Sequence, residues 1–377
     1  LFTLQNHLKQ NIAETSMSDD YLQASRAIQR QIEDLVKIIV ARLYKIHPNE
    51  RSHFGEMHFE KSLRDTNYHL SYLAQALAAN SIPLFTEYAV WCKTLFANLG
   101  FSEDALSTTF HCMREVLSEQ LNNEESASAC VFLDAALQKL TLPTINQSSF
   151  LLEDALFGEL AHEYLEALLR GDRIAARQII LNAAQGGVRI QDIYLQVLQP
   201  CQREIGRLWH MNQVSVAQEH YATAITQVAM AQLYPYLFST APAKKHAAVV
   251  VAGVSGELHE LGARMLADFF EMDGWDSYFL GANTPGQGII ETVRRYQAAV
   301  LCISVTAALN VSLVTDVIAL LRTSPDIGQT IVLVGGYPFN QVPDLWMQVG
   351  ADGYAADAQG ALRVAHRLVD EKRRLQS

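Results

Sequence analysis

The feature that most constrains this chain is a change of hydrophobic period near residue 246. Before that point, apolar residues recur at three- and four-residue spacing with no alternating strand pattern, which reads as helix almost throughout. After it, short Val- and Ala-rich runs recur at 246–253, 275–280, 298–304 and 329–334, with a weaker one at 352–356. Helical segments of about a dozen residues separate them. Strands alternating with helices imply a parallel, doubly wound sheet, which binds ligands at the carboxyl ends of its strands near the point where the winding reverses. A chain of 377 residues is also too long for one ordinary core. Three blocks are expected: an all-α domain over 1–145, a four-helix bundle over 150–240, and an α/β domain with a five-stranded sheet over 244–377.

In the first block the spacing predicts helices near 20–46, 57–79, 83–98, 103–122 and 125–140. Breaks fall at His47-Pro48, at Ile82-Pro83 and at Leu99-Gly100-Phe101-Ser102, where Ser102 is placed to cap the next helix. The aperiodic stretch from Thr141 to Ser149, with a proline and several hydroxyl residues, reads as a linker. The second block predicts helices near 151–169, 172–186, 189–209 and 216–236. Its last join ends at Ser215, and Ser215 with Gln218 fits a capping box that starts the fourth helix. Short joins between consecutive helices favour an antiparallel bundle.

Composition narrows the function classes. A formal charge of -11 argues against a phosphate-binding face over the whole molecule, so no direct nucleic-acid partner is expected. No stretch approaches the roughly 18 apolar residues of a membrane span. The opening residues LFTLQNHLKQ lack a charged leader followed by an apolar core, so no export signal is expected. Cys92, Cys112, Cys130, Cys201 and Cys302 are scattered and without CxxC spacing, which reads as reduced cytoplasmic thiols.

The residues just beyond the strand ends carry the chemistry. After the first strand comes Glu257-x-His259-x-x-Gly262, after the third Ser304-x-Thr306, and after the fourth Gly335-Gly336. An imidazole, two hydroxyls and a glycine pair therefore converge on one rim of the sheet. This pattern resembles the base-off, His-on cobalamin-binding domain, and the resemblance implies a flavodoxin-like doubly wound sheet. It also implies that His259 ligates cobalt, with the nucleotide tail lying between the Ser/Thr and Gly-Gly segments. Neutral imidazole suits a borderline transition metal, a neighbouring acid fixes its tautomer, and glycines permit close backbone approach. The commonest family motif has Asp where this chain has Glu257. In the helical block, Trp209-His210 followed by Glu219-His220 resembles the Trp-x9-Glu-His signature of CarH-type photoreceptors. That resemblance implies adenosylcobalamin under a four-helix cap, with Trp209 over the adenosyl group and Glu219 and His220 near its sugar. His210 would then be the residue that takes the upper cobalt position after illumination.

The first block has no recognisable helix-turn-helix of the kind CarH-type repressors carry. An all-helical domain upstream of such a unit resembles photocobilins, in which a globin-like domain holds a linear tetrapyrrole such as biliverdin. The candidate bilin residues are Asp65, His69, Tyr72, Tyr88 and Trp91. Asp65 and His69, four apart, share a helix face; a carboxylate accepts from pyrrole N–H groups, and the rings stack on a flat chromophore. Non-covalent binding is preferred over a thioether at Cys92, and haem on His111 or His69 is the other flat-ligand reading. The leading expectation is a cytoplasmic, homodimeric light sensor, not an enzyme, acting on a downstream signalling protein. The rival expectations are a corrinoid methyl carrier of a methyltransferase system and a light-independent cobalamin sensor.

Overall fold

The computed structural model describes residues 19–46, 48–143, 148–152, 154–237 and 247–376, with the side chains of 48–58 and 376 left aside. The His47 break, the middle of the expected linker (144–147) and the His246 strand start lie outside the described residues. The chain divides into two compact units. One is Leu1–Thr144 with Ala307–Ser312 and Gln341–Val349; the other is Ile145–Thr306 with Leu313–Asn340 and Gly350–Ser377.

The first unit is helical, with α1 (19–30), α2 (Ile32–Ile46), α3 (Pro48–Ala78), α4 (Ile82–Asn98), α5 (Ala105–Gln120) and α6 (Asn123–Leu140). The α3 helix begins at Pro48, not near 57: proline is suited to the first helical position, where its missing N–H has no partner to lose. The α4 helix ends through Gly100, whose φ of +81° lets the Phe101 N–H return to the Phe96 carbonyl. Ser102 does not cap α5; Asp104 precedes it and makes no side-chain cap. The α6 helix does carry a full capping box, with Asn122 accepting from Glu124 and Glu125 and the Glu125 carboxylate returning to the Asn122 N–H. Ile39, Leu70, Leu73, Phe85, Phe110 and Phe132 are buried in this unit.

The second unit opens with α7 (Gly158–Leu169), which starts later than 151 because the chain turns at Phe157, φ +68°. There follow α8 (Arg173–Gln185), α9 (190–210) and α10 (Val216–Leu237). The α9 helix contains a π-helical stretch, Ile193–Leu198, immediately before Pro200. Proline lacks the N–H for the regular bond and its ring crowds the carbonyl four residues back; a wide turn at that point relieves both. The stretch leaves Tyr194 fully buried. The expected capping box is present: Ser215 Oγ accepts from the Gln218 N–H at 3.3 Å, and Gln218 Oε1 accepts from the Ser215 N–H at 3.0 Å.

Five strands complete the unit: β1 (Ala248–Val254), β2 (Asp276–Thr284), β3 (Val300–Ser304), β4 (Ile331–Gly335) and β5 (Gly353–Tyr354). Every pair is parallel and the order is β2-β1-β3-β4-β5, the flavodoxin-like doubly wound arrangement. The sheet reverses its winding between β1 and β3. The β1 run AVVVAGV is buried from Val249 onward, as a strand covered on both faces requires.

The helical cap and the sheet share a core in which Met265 and Phe269 of α11 (Leu261–Met272) pack with cap residues such as Tyr194 and Leu233. Polar contacts reinforce it. The buried Asp268 carboxylate accepts from Tyr194 OH at 2.8 Å and Tyr234 OH at 3.0 Å, and Gln227 Nε2 donates to Glu260 Oε1 at 2.6 Å. Burial raises the Asp268 pKa, with the two phenol hydrogen bonds working the other way.

Candidate functional site

The winding reversal brings the loops after β1 and β3 side by side, and Glu257 joins them. Its carboxylate is 0% exposed. Oε1 accepts from the His259 backbone N–H at 3.0 Å and from His259 Nδ1 at 2.6 Å, while Oε2 accepts from the Thr306 N–H at 2.8 Å. The acid reaches the imidazole although it is Glu, one methylene longer than the Asp of the commonest motif. The loop itself is bracketed by Asn283 at the end of β2: its side chain accepts from the Gly256 N–H at 2.8 Å, and its N–H donates to the Glu257 carbonyl at 2.8 Å. Both Gly256 and Asn283 hold positive φ, conformations open to glycine and asparagine.

The consequence for His259 is chemical. A carboxylate at Nδ1 places the imidazole proton there and leaves Nε2 as a lone pair. Nε2 has no hydrogen-bond partner among the described residues, and the side chain is 64% exposed. The Glu257 hydrogen bond raises the His259 pKa against the opposing effect of burial, and the charges of Glu257 and of Glu219 in the cap act in the same raising direction. Among the described residues no group of three or more His, Cys, Asp or Glu could hold a metal ion. The donor set fits a metal that brings its own equatorial ligands and needs one imidazole from the protein.

The rest of the rim divides into residues that face open space and residues consumed by the fold. A Cβ on Gly262 would meet nothing within 4 Å, and Ser304 and Thr306 are half-buried. Their hydroxyls have no partner among the described residues. Gly335 and Gly336 are required by the fold itself. A Cβ on Gly336 (φ +104°) would lie 1.9 Å from the Val305 carbonyl oxygen, and one on Gly335 would lie 2.9 Å from the Ala355 oxygen. The Val305 N–H also donates to the Gly335 carbonyl at 3.0 Å. Gly336 lets the chain after β4 pass against Val305 after β3, and Gly335 leaves room for Ala355 after β5.

In the cap, α9 ends at Trp209, half-buried, and His210, which is buried instead of solvated as a helix-end residue would be. Glu219 and His220 stand in the first turn of α10, with His220 Nδ1 donating to Glu219 Oε2. Sequence reasoning missed the supports: the Asn283 bracket, the Gln227–Glu260 contact, the tyrosine pair on Asp268 and the Glu204–Arg207 pair. Glu204 is buried against Arg207 and also accepts from the Phe150 N–H at 2.9 Å, one turn before Trp209. Apart from Glu204–Arg207, an i,i+3 pair on one helix, these are long-range partnerships without a local spacing. Among those long-range supports the available signal was Gly281-Ala-Asn283-Thr-Pro285, a turn-forming cluster directly after the expected strand.

In the first unit the candidate bilin residues are brought together, packed against one another. Tyr72 stacks on Tyr88 with centroids 3.6 Å apart and planes 9° apart, and Trp91 lies parallel to Tyr88 at 6.5 Å. His69 is buried, its Nδ1 2.7 Å from Tyr88 OH, with no bond to Asp65. Asp65 is half-buried beside Arg64, and its charge reaches Tyr88 and Cys92. Burial lowers the His69 pKa to about 4 and raises the Cys92 thiol to about 12. His111, the other haem candidate, lines a separate groove of about 800 Å3 with Lys93, Glu103 and Asp104. Among the described residues no helix is long and apolar enough to cross a membrane.

Comparison with known proteins agrees with this geometry. Residues 160–234 and 247–363 each match a family model described as B12 binding domain, and residues 5–140 match one described as Phycobilisome protein. The chain is 27% identical over 185 residues to dimethylamine corrinoid protein 2 of Methanosarcina mazei, covering 46% of this chain and 85% of that protein. It is 23% identical over 214 residues to the dimethylamine corrinoid protein of Methanosarcina barkeri, covering 56% of this chain and 98% of that protein. The fold of the monomethylamine corrinoid protein of Methanosarcina barkeri superposes with a TM-score of 0.51 at 19% identity, covering 56% of this chain and all of that one. The four-helix cap, the sheet with His259 at its reversal point and the two B12 matches lead to one conclusion: this is a cobalamin-binding protein, with a phycobilisome-like helical domain ahead of its cofactor unit.

Proposed function

We propose that the chain is a light sensor that holds adenosylcobalamin between its cap and its sheet, and that its first unit holds a bilin such as biliverdin. When bound, adenosylcobalamin supplies a cobalt–carbon bond that light can break. His259 would hold the cobalt through Nε2 while Glu257 keeps the proton on Nδ1. Trp209, Glu219 and His220 would close the cap over the cofactor, and His210, buried next to Trp209, would be a second imidazole beside the metal. The observation behind the reading is the hydrogen bond from Gln227 to Glu260, which ties the helix carrying Glu219 and His220 to the residue after His259. The phycobilisome-like match over 5–140 supports the bilin. No turnover is required: the signal is a change in cap contacts between two states, passed to a partner protein in the cytoplasm, with the chain acting as a homodimer.

The relatives favour a second reading, a corrinoid carrier for methyl groups, because those named above are corrinoid proteins of methylamine systems. Absorption spectra of the whole chain loaded with adenosylcobalamin, in darkness and after illumination, separate the two. The sensor gives a light-dependent change, and His210→Ala alters the illuminated product while leaving dark binding within about twofold. A light-stable adenosyl complex, with methyl transfer from a donor protein, establishes the carrier instead. Purification from cells supplied with biliverdin tests the bilin, which predicts a visible absorption band beyond that of cobalamin.

A further inference from the structure

The last turns of α9 are tied to a distant stretch of chain by one buried ion pair. Glu204 is 4% exposed, and Arg207 meets both of its oxygens: Nη2 donates to Oε1 at 2.6 Å and Nε to Oε2 at 3.0 Å. The same carboxylate accepts from the Phe150 N–H at 2.9 Å and from the Ser149 hydroxyl. The Ser149 oxygen in turn accepts from the Leu151 N–H at 3.1 Å. Burial pushes the Glu204 carboxyl up, and these hydrogen bonds outweigh it, leaving the pKa below its ordinary value. Residues 149–151 are thus strapped to α9, and Leu151 is buried in the cap core beyond the tie. The chain then enters α7 through Phe157, whose left-handed φ of +68° is costly to a residue with a Cβ. The tie therefore helps to hold a path that the strap would not keep by itself.

Arg207 also reaches the other way. Its remaining nitrogen, Nη1, donates to Met211 Sδ. Glu204, Arg207 and Met211 share one helix face at three- and four-residue spacing, and Met211 directly follows His210. The guanidinium therefore spans from the strap to the residue beside Trp209-His210. It is planar and rigid, so it cannot keep Met211 and both Glu204 oxygens once that last turn shifts. A buried carboxylate stripped of its guanidinium is strongly disfavoured, so Glu204 follows Arg207 and its bond to the Phe150 N–H weakens.

The geometry points to Glu204 and Arg207 as a coupling device that links the position of the Trp209-His210 turn to the strap at 149–151, the end of the chain arriving from the first unit. The strap is tight in one position of that turn and loose in another. This rests on the reading that Trp209 and His210 stand beside the cofactor, where corrinoids with different upper ligands place the turn differently.

Amide hydrogen exchange of the full chain in darkness reads the strap directly. The chain is loaded in turn with adenosylcobalamin and hydroxocobalamin, which differ in the upper ligand alone. Exchange at Phe150 is expected to be about five- to tenfold faster with hydroxocobalamin, the scale of one weakened hydrogen bond to a charged group, while the core amides of α7 are unchanged. Met211→Ala removes the contact beyond Arg207 and leaves Glu204 and Phe150 in place. It should keep the adenosyl form within about twofold of the parent and abolish the difference between corrinoids. Glu204→Gln should lose protection at Phe150 with both; if it does not fold, Met211→Ala carries the test alone. Equal exchange at Phe150 in the two parent complexes overturns the proposal and leaves Glu204 a static brace, as does a corrinoid difference that survives Met211→Ala. Ligation by His210 is read separately, from the absorption spectrum of the hydroxocobalamin complex, so failure of the cofactor reading shows there and failure of the coupling shows in the exchange.

Discussion

His259 and His69 are the same side chain in opposite settings, and the contrast separates a site from a core. Each imidazole has an oxygen close to Nδ1: a carboxylate at 2.6 Å for His259 and a phenol at 2.7 Å for His69. His259 is 64% exposed at the side chain and its pKa is raised by Glu257, whereas His69 is 3% exposed and its pKa is lowered to about 4 by burial. The neighbours follow the same division. Around His259 the buried atoms are fully paired and those that face outward are left open: Nε2, the Ser304 and Thr306 hydroxyls, the space over Gly262. Around His69 the rings of Tyr72, Tyr88 and Trp91 are spent on one another. A ligand site is built from paired supports with open tips, whereas around His69 the rings turn inward against one another.

The largest expected effect tests the buried partner. The His69 pKa in the fold lies below its ordinary value of 6.5, so between pH 6.5 and 4 the unfolded chain binds the proton and the folded one does not. Stability therefore falls as pH drops through that window and levels off below it, by roughly 3 kcal/mol for a shift of this size. Urea unfolding of the first unit, followed by amide exchange at residues 69–92 in the intact chain, should show this slope in the parent and lose it in His69→Gln. A slope that persists in the variant assigns the effect to another group and breaks the contrast.

The next effect tests the exposed partner. Glu257→Gln keeps the volume and removes the charge that orders His259. The amide must also turn its NH2 toward either His259 or the Thr306 N–H, so one of three hydrogen bonds becomes a clash of donors. Partners of metal-binding histidines are worth about 10- to 100-fold in metal affinity. A loss in that range for cobalamin, with His259 dissociating from cobalt in the spectrum, is the expected outcome. Equal affinity in the variant would show that Glu257 only holds the loop, a role its bond to the Thr306 N–H could fill alone.

How much of this was legible beforehand follows the same physics. The period change near 246, the cap helices and the Ser215–Gln218 box are local patterns, and the structure contains them at nearly the expected positions. The rim residues after β1, β3 and β4 were legible because a parallel sheet puts strand-end loops together whatever the intervening sequence. The π-helical stretch before Pro200 was not, since the proline fits equally a broken helix or a widened one, and packing of Tyr194 decides between them. For Gly335-Gly336, sequence shows that two side chains are missing, and only the fold shows how closely Val305 and Ala355 approach them. For His69, spacing gave a shared face with Asp65, yet tertiary packing directed the ring to Tyr88.

The smallest expected effect is an absence of reaction, and it bears on how a bilin would be held. Cys92 is buried, hydrogen-bonded with Tyr88, and its thiol is pushed up to about 12 by burial. The thiolate is the nucleophile in thioether formation, and at pH 8 a thiol with such a pKa is ionised in only about one molecule in ten thousand. Iodoacetamide at pH 8 should therefore leave Cys92 unmodified in the folded chain while reacting once urea exposes it. For the same reason, biliverdin added to the whole chain should be fully extracted by acidified solvent, with no mass shift on the peptide carrying Cys92. A covalent adduct there would mean that the aromatic cluster opens to admit the chromophore and that the thiol is ionised in the opened state. The division between open site and sealed core would then hold only for one of two states of the first unit.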